Sequence, residues 1–217
     1  MKSLSHFLVY LIMPSINVIT PILGDRYYHI FNRGNNGQSV FFNEENYKYF
    51  LRRFHQFLSP FVDLLAYSLM PNHFHFLIKT KGSVPILKDG NPLRSTDETE
   101  IGKHVSNQFR RFLITYSMAI NKQEKRTGSL FSKNFKRLEI EDEEYLRYVT
   151  FYIHFNPQKH GWIDDFKKYR YTSWLAYNSE KPSLLNRTLL RGLFGGSDEL
   201  LEYHQYLHEE KELNLLE

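Results

Sequence analysis

The chain of 217 residues contains no cysteine. That absence excludes disulfide scaffolds, thiolate zinc sites and cysteine nucleophiles together. It also suits a reducing compartment, and a cytoplasmic location is the expectation. Long apolar runs are missing as well. The first residues carry Phe7-Leu8-Val9-Tyr10-Leu11-Ile12 after Lys2, which faintly resembles a signal peptide. The run is too short to span a bilayer, Pro14 interrupts it, and no small-x-small cleavage site follows. A soluble protein with no membrane partner is expected, and Met13 stands as an alternative start. Internal repeats and low-complexity tracts are absent too.

What is present is aromatic and basic. Phenylalanine (18), tyrosine (15) and tryptophan (2) make up 16% of the chain, and the net charge is +4. With 41% hydrophobic and 24% charged residues, the composition is that of a globular protein. A chain this long buries about 70% of its unfolded surface and needs no covalent staple. Basic plus aromatic suits nucleic acid, where cations meet phosphates and rings meet bases. It fits equally an aromatic core beneath a mildly basic surface.

The pattern becomes regular from Asp25. Residues 26–32 read as an aromatic strand closed by the turn Gly34-Asn35-Asn36-Gly37. Asn43 is a helix N-cap, and Tyr47, Phe50, Leu51, Phe54 and Phe57 follow at helical spacing, which predicts a helix over 44–58. Two apolar runs, 62–69 and 73–79, flank Met70-Pro71-Asn72 as a hairpin-like pair. Residues 80–97 read as a loop, 98–121 as a long helix, and 129–140 as an extended basic segment. Acidic residues open a helix at 142 that Pro157 is expected to end at 156. Coil carrying Trp162 and Trp174 follows, then a helical tail from Ser197. The order β-α-β-β-α-β plus a helix predicts an α+β protein with a ferredoxin-like split βαβ sheet (βαββαβ), a further helix over 142–156 and a C-terminal helical extension. The expected organisation is an N-terminal extension (1–24), a main domain (25–177) and a helical tail (178–217).

A fold of this kind decides no function; particular side chains do. In Pro71-Asn72-His73-Phe74-His75-Phe76, residues two apart on a strand point to the same face. His73 and His75 project together and can share one divalent cation, with positions left for a third protein ligand and substrate oxygens. On its own this short pattern also fits two histidines with no metal. In Tyr152-Ile153-His154-Phe155-Asn156-Pro157, Tyr152 and Asn156 are i, i+4 neighbours on a helix. The Asn156 carboxamide oxygen is a suitable hard ligand to complete a two-histidine site. One turn earlier, the Tyr152 hydroxyl would lie near whatever the metal binds and could attack a polarised phosphate. Tyr152 also fits a core role, and Tyr145 and Tyr148 lie nearby, so spacing leaves the nucleophile open.

Charge is uneven. Lys103, Arg110, Arg111, Lys122, Lys125, Arg126, Lys133, Lys136 and Arg137 fall within 103–137, where Glu124 is the one acid. The segment is net +8, leaving −4 for the rest of the chain. A basic stripe with Phe109, Phe112, Tyr116, Phe131 and Phe135 interleaved has the footprint of a phosphate-backbone binder, as well as that of a solvated helix face. Glu139, Glu141, Asp142, Glu143 and Glu144 read as cap and first-turn residues.

The run AYSLMPNHFHFLI (66–78) resembles the HUH signature of single-tyrosine transposases. With YYHIFNRGNNGQSVFF (27–42), RTGSLFSKNFKR (126–137) and EEYLRYVTFYIHFNPQKHGW (143–162), the chain resembles the REP-associated tyrosine transposases over roughly 25–177. The resemblance implies His73, His75 and Asn156 as metal ligands and Tyr152 as nucleophile. It implies cleavage of single-stranded DNA at hairpin-containing or inverted-repeat ends with Mg²⁺ or Mn²⁺, leaving a 5′-phosphotyrosine and a free 3′-OH. Phe74 satisfies the bulky position between the histidines, whereas related transposases can carry Gln as third ligand. Relatives include dimers that exchange the tyrosine helix and also monomers, so monomer and homodimer both stay open. The DNA-binding candidates are Arg110, Arg111, Lys122, Lys125, Arg126, Lys133, Lys136 and Arg137, with Arg33 and the Gly34–Gly37 loop as further placing elements. Two rival readings are a non-catalytic, domesticated nucleic-acid-binding module and a metal phosphodiesterase that uses water.

Overall fold

A computed structural model describes residues 20–88, 90–177 and 179–214; the apolar run at 7–12 and Met13 lie outside the described residues. Four segments of alternating or continuous apolar character become strands of one sheet: β1 (Tyr27–Arg33), β2 (Val62–Met70), β3 (His73–Thr80) and, later in the chain, β6 (Lys136–Ile140). Their order is β2-β3-β1-β6, with every neighbouring pair antiparallel. Between β1 and β2 lies α1 (Glu44–Leu58), and between β3 and β6 lies α2 (Glu98–Gln123). This is the expected ferredoxin-like α+β arrangement.

Local chemistry starts each helix where the pattern places it. The Asn43 side chain accepts from Asn46 N (3.1 Å), and Asp97 does the same for Glu100 N (2.7 Å). Asp142 accepts from Tyr145 N (2.7 Å) at the start of α3 (Glu143–Lys159), so the acidic cluster there is a cap and first turn.

One aromatic cluster lies between α1, α2 and one sheet face, and another gathers Phe151, Phe155, Phe166 and Trp174 about α3. Phe50 meets Phe74 at 5.1 Å and Phe112 at 4.6 Å between ring centroids, and Phe54 meets Phe76 at 4.7 Å. Such pairs add about 0.5–1.5 kcal/mol each beyond area burial. The other sheet face is covered by α3 through Leu146, Val149 and Ile153, all buried.

Three expectations need correction. Residues 80–97 are not a plain loop: β4 (Val84–Lys88) and β5 (Asn91–Ser95) form a hairpin whose turn includes Gly90 at φ +80°. Val84 and Ile86 are buried one strand step apart, a period of two too short to stand out beside the surrounding Gly and Pro. Pro157 does not end its helix, because α3 continues to Lys159 and His160 N still donates to Asn156 O at 3.0 Å. Proline removes its own N–H, here one turn from the helix end, while its ring is buried. Finally, the stretch before Ser197 is not all coil: α4 (Trp174–Tyr177) and α5 (Arg187–Phe194) precede α6 (Ser197–Asn214). Residues around α4 cover the outer edge of β2, with Leu69 N donating to Tyr171 O, Ser173 N to Tyr67 O, and Asn186 N to Leu64 O. A covered edge strand offers no template for another chain.

Candidate active site

Strand register decides which histidines meet. In β3, His75 stands opposite Phe31 of β1 and Ser68 of β2, and His73 stands opposite Arg33 and Met70. Both histidines face α3, with their ring centroids 5.3 Å apart, while Phe74 and Phe76 enter the aromatic core behind. A slip of one residue would exchange the two sets.

α3 brings the other two candidates over the same face. The Tyr152 ring lies 5.9 Å from His75 and 6.1 Å from His29. Lys159 Nζ sits 4.9 Å from the Tyr152 ring centre. Asn156 is wholly buried, and neither its Oδ1 nor its Nδ2 has a hydrogen-bond partner. It is nevertheless near enough to His73 and Tyr152 to influence the proton affinity of each. Tyr145 and Tyr148, the other tyrosines of α3, have their rings stacked on one another at 6.4 Å. His160, just past the helix end, places its ring 5.1 Å from His73.

Behind the two histidines is a layer of fixed partners. His73 Nδ1 lies 2.6 Å from Asn72 Oδ1, and His75 Nδ1 lies 2.8 Å from His29 Nε2. Asn72 belongs to the β2–β3 turn, which the 34–41 segment buttresses. Gly34 N donates to Asn72 O (2.7 Å), and Val40 N donates to Pro71 O (2.7 Å). A Cβ on Gly34 would collide with Gln38 O, so this close approach requires glycine. The backbone of this RGNNG loop thus holds the turn from which the His-x-His strand departs.

Burial keeps these imidazoles neutral. It lowers His73 to about 4, helped by the His160 and Arg33 charges and opposed by Asn156. Burial lowers His29 to about 3 and carries His75 well below the ordinary histidine value. A neutral imidazole keeps the lone pair that a metal needs. Burial raises the Tyr152 hydroxyl above the ordinary tyrosine value, against an opposing effect of the Asn156 carboxamide.

The donor set fits a divalent cation. Among the described residues no three His, Cys, Asp or Glu side chains cluster at ligand spacing, so a third protein ligand beside His73 and His75 has to be of another type. Asn156, buried with an unpaired carbonyl oxygen beside His73, meets that need. Two nitrogens and one neutral oxygen leave positions for phosphate oxygens and water.

The basic candidates do not form one surface. Lys136 pairs with Phe31, which pairs with His75, so it shares the histidines' face, and its Nζ lies 6.0 Å from the Phe31 ring centre. Arg137 turns to the opposite face, where its guanidinium donates to Thr20 O and stacks over Phe135 at 5.2 Å. Arg110 and Arg111 are exposed on α2, on the layer behind the sheet, with Arg111 over the Phe57 ring at 5.5 Å. Lys122 ends α2, and Lys125, Arg126 and Lys133 lie in the 124–135 segment. That segment docks on the end of β1, with Asn35 N donating to Leu130 O and Ser132 N to Arg33 O, both at 2.9 Å. Arg33 itself is exposed beside His73.

Sequence reasoning missed His29, Asn72, Lys159 and His160. For His29 a signal existed: it sits in a strand, two residues before Phe31 and thus on the same face. Its meeting with His75 depends on register across 46 residues of sequence, which no local pattern carries.

No family model matches the chain. A curated protein of Haemophilus influenzae, provisionally named a REP-associated tyrosine transposase, is 27% identical over 117 residues, 53% of this chain and 60% of that protein. The chain thus matches less than two thirds of that relative's length. A solved structure of a REP-associated tyrosine transposase bound to a REP hairpin superposes with a TM-score of 0.56 at 16% identity, over 77% of this chain and 88% of that one. The structural neighbour supports the fold, and the sequence relative carries the family name that the four ordered motifs suggested. By fold and sequence alike, the chain resembles the REP-associated tyrosine transposases.

Proposed function

We propose that this chain is a metal-dependent transposase that nicks and rejoins single-stranded DNA at hairpin-containing ends through a covalent 5′-phosphotyrosine. The observation that carries the reading is the meeting of Tyr152 and the unpaired Asn156 on one helix with the His73–His75 pair on the strand beneath. The similarity to a hairpin-bound structure supports the choice of substrate.

Mg²⁺ or Mn²⁺ held by His73, His75 and Asn156 would supply Lewis-acid polarisation of the scissile phosphate. Tyr152 Oη then attacks phosphorus in line and gives up its proton. The bond from phosphorus to the 3′ oxygen breaks, and that oxygen leaves as a 3′-OH after gaining a proton. The 5′ phosphate stays on Tyr152. In the reverse sense a 3′-OH attacks the phosphotyrosine, reforming a phosphodiester and returning the proton to the phenol. Lys136 and Arg33 lie on the histidines' side of the sheet, which supports assigning them to the phosphate backbone.

The test is a denaturing gel of labelled hairpin-bearing single-stranded DNA incubated with protein and Mn²⁺. A protein–DNA adduct that disappears in Tyr152→Phe is expected. Cleavage that persists in Tyr152→Phe without an adduct would replace the reading with a water-using phosphodiesterase. Binding without cleavage under all divalent metals tried would leave a nucleic-acid-binding module.

A further inference from the structure

The two strand histidines are held by different kinds of partner. For His73 the partner settles the tautomer. Asn72 Nδ2 donates to Gly37 O at 3.4 Å, which turns Asn72 Oδ1, an acceptor, toward His73 Nδ1. His73 Nδ1 therefore carries the proton, and its Nε2 keeps the lone pair. For His75 the partner is another histidine, His29, and a bond between two imidazoles can run in either direction. In one direction His75 Nδ1–H donates to His29 Nε2, and His75 Nε2 is free to coordinate. In the other, His29 donates, and the His75 proton sits on Nε2, where it blocks coordination.

His29 is buried at 4% exposure and stacked within 5.0 Å of the His75 ring, with Phe31 at 4.9 Å on the same face. We propose that His29 is a positioning residue: its Nε2 accepts the Nδ1 proton of His75, fixing the tautomer and ring angle in which His75 Nε2 serves as a ligand. Outer partners of this kind orient metal-binding histidines generally, though the partner is more often a carboxylate or carbonyl. The inference rests on the metal-dependent reading above and extends it to a residue outside the His-x-His pair.

The test uses the full chain without DNA and reads Mn²⁺ affinity by calorimetry, with urea unfolding as the check on folding. His29→Phe keeps a ring and removes the acceptor; His29→Gln keeps an acceptor near the same position. His29→Phe is expected to weaken Mn²⁺ binding about 10–100-fold, with His29→Gln within a few-fold of the parent. Equal affinity in His29→Phe and the parent overturns the proposal, as does equal weakening in both variants, which would mean packing alone. Two-bond proton–nitrogen NMR correlations on the metal-free parent supply a reading free of any variant: His75 protonated at Nδ1 is expected, and protonation at Nε2 overturns it. Absence of Mn²⁺ binding by the parent, with the Nδ1–H tautomer present, would instead overturn the metal-dependent reading.

Discussion

Asn156 is buried with an amide that bonds to nothing. Each unmet donor or acceptor in such a place costs about 1–3 kcal/mol, so a residue selected for stability alone would be apolar. Asn156→Leu, close in volume, is therefore expected to leave the melting temperature of the metal-free protein unchanged or raised. The same variant should lose most of the upward shift that millimolar Mn²⁺ gives the parent. Thermal melts with and without Mn²⁺ decide it: a strongly destabilised variant that keeps the shift would remove Asn156 from the ligand set.

At the scale of elements, the helix bearing Tyr152 is tied down from behind. His204 of α6 donates from Nδ1 to Leu200 O (2.8 Å), leaving its Nε2 to accept from His154 Nδ1 (2.9 Å). His154 Nε2 then accepts from Ser173 Oγ (2.7 Å), beside β2. One directional chain thus links the tail, α3 and the sheet edge, all of it buried. It requires both histidines neutral. Burial lowers His204 to about 4, opposed by its bond to Leu200, and carries His154 well below the usual value. The folded pKa lies below the unfolded one, near 6.5, so the contribution is full above 6.5 and is lost as pH falls toward 4. The slope is at most about 1.4 kcal/mol per pH unit for each histidine. Urea unfolding at pH 7, 6 and 5 should show stability falling with pH. In His204→Phe the slope should be shallower, with lower stability at pH 7. A slope equal to the parent's would show that other groups set the acid limit.

For the whole molecule, the basic stripe seen in sequence wraps around a sheet. Lys136 shares the face of His73 and His75, and Arg110 and Arg111 lie on the layer behind it. Lys136→Ala is expected to weaken hairpin DNA binding several-fold and to reduce the salt slope of log affinity by about 1. Arg110→Ala with Arg111→Ala should change affinity less than two- to three-fold. Fluorescence anisotropy across a salt series measures both, and a larger loss from the α2 pair would place DNA on the back of the molecule. As for the membrane, among the described residues no helix is long and apolar enough to cross one.

Much of this protein was fixed by local rules. Caps at Asn43, Asp97 and Asp142, helical spacing of Phe50 and Phe54, and the alternation around His73 and His75 are short-range consequences of backbone geometry. Those same rules put Tyr152 and Asn156 on one helix face. Which faces meet was decided elsewhere. The pairing of His29 with His75, of Asn72 with the RGNNG loop, and of His154 with His204 joins residues far apart in sequence, and nothing in a one-dimensional pattern encodes strand register or helix docking. Charge shows the division most plainly. Sequence determined how many cations lie between residues 103 and 137, and only the antiparallel register of β6 on β1 sent Lys136 to the histidines' face and Arg137 to the other, because neighbours on a strand point opposite ways.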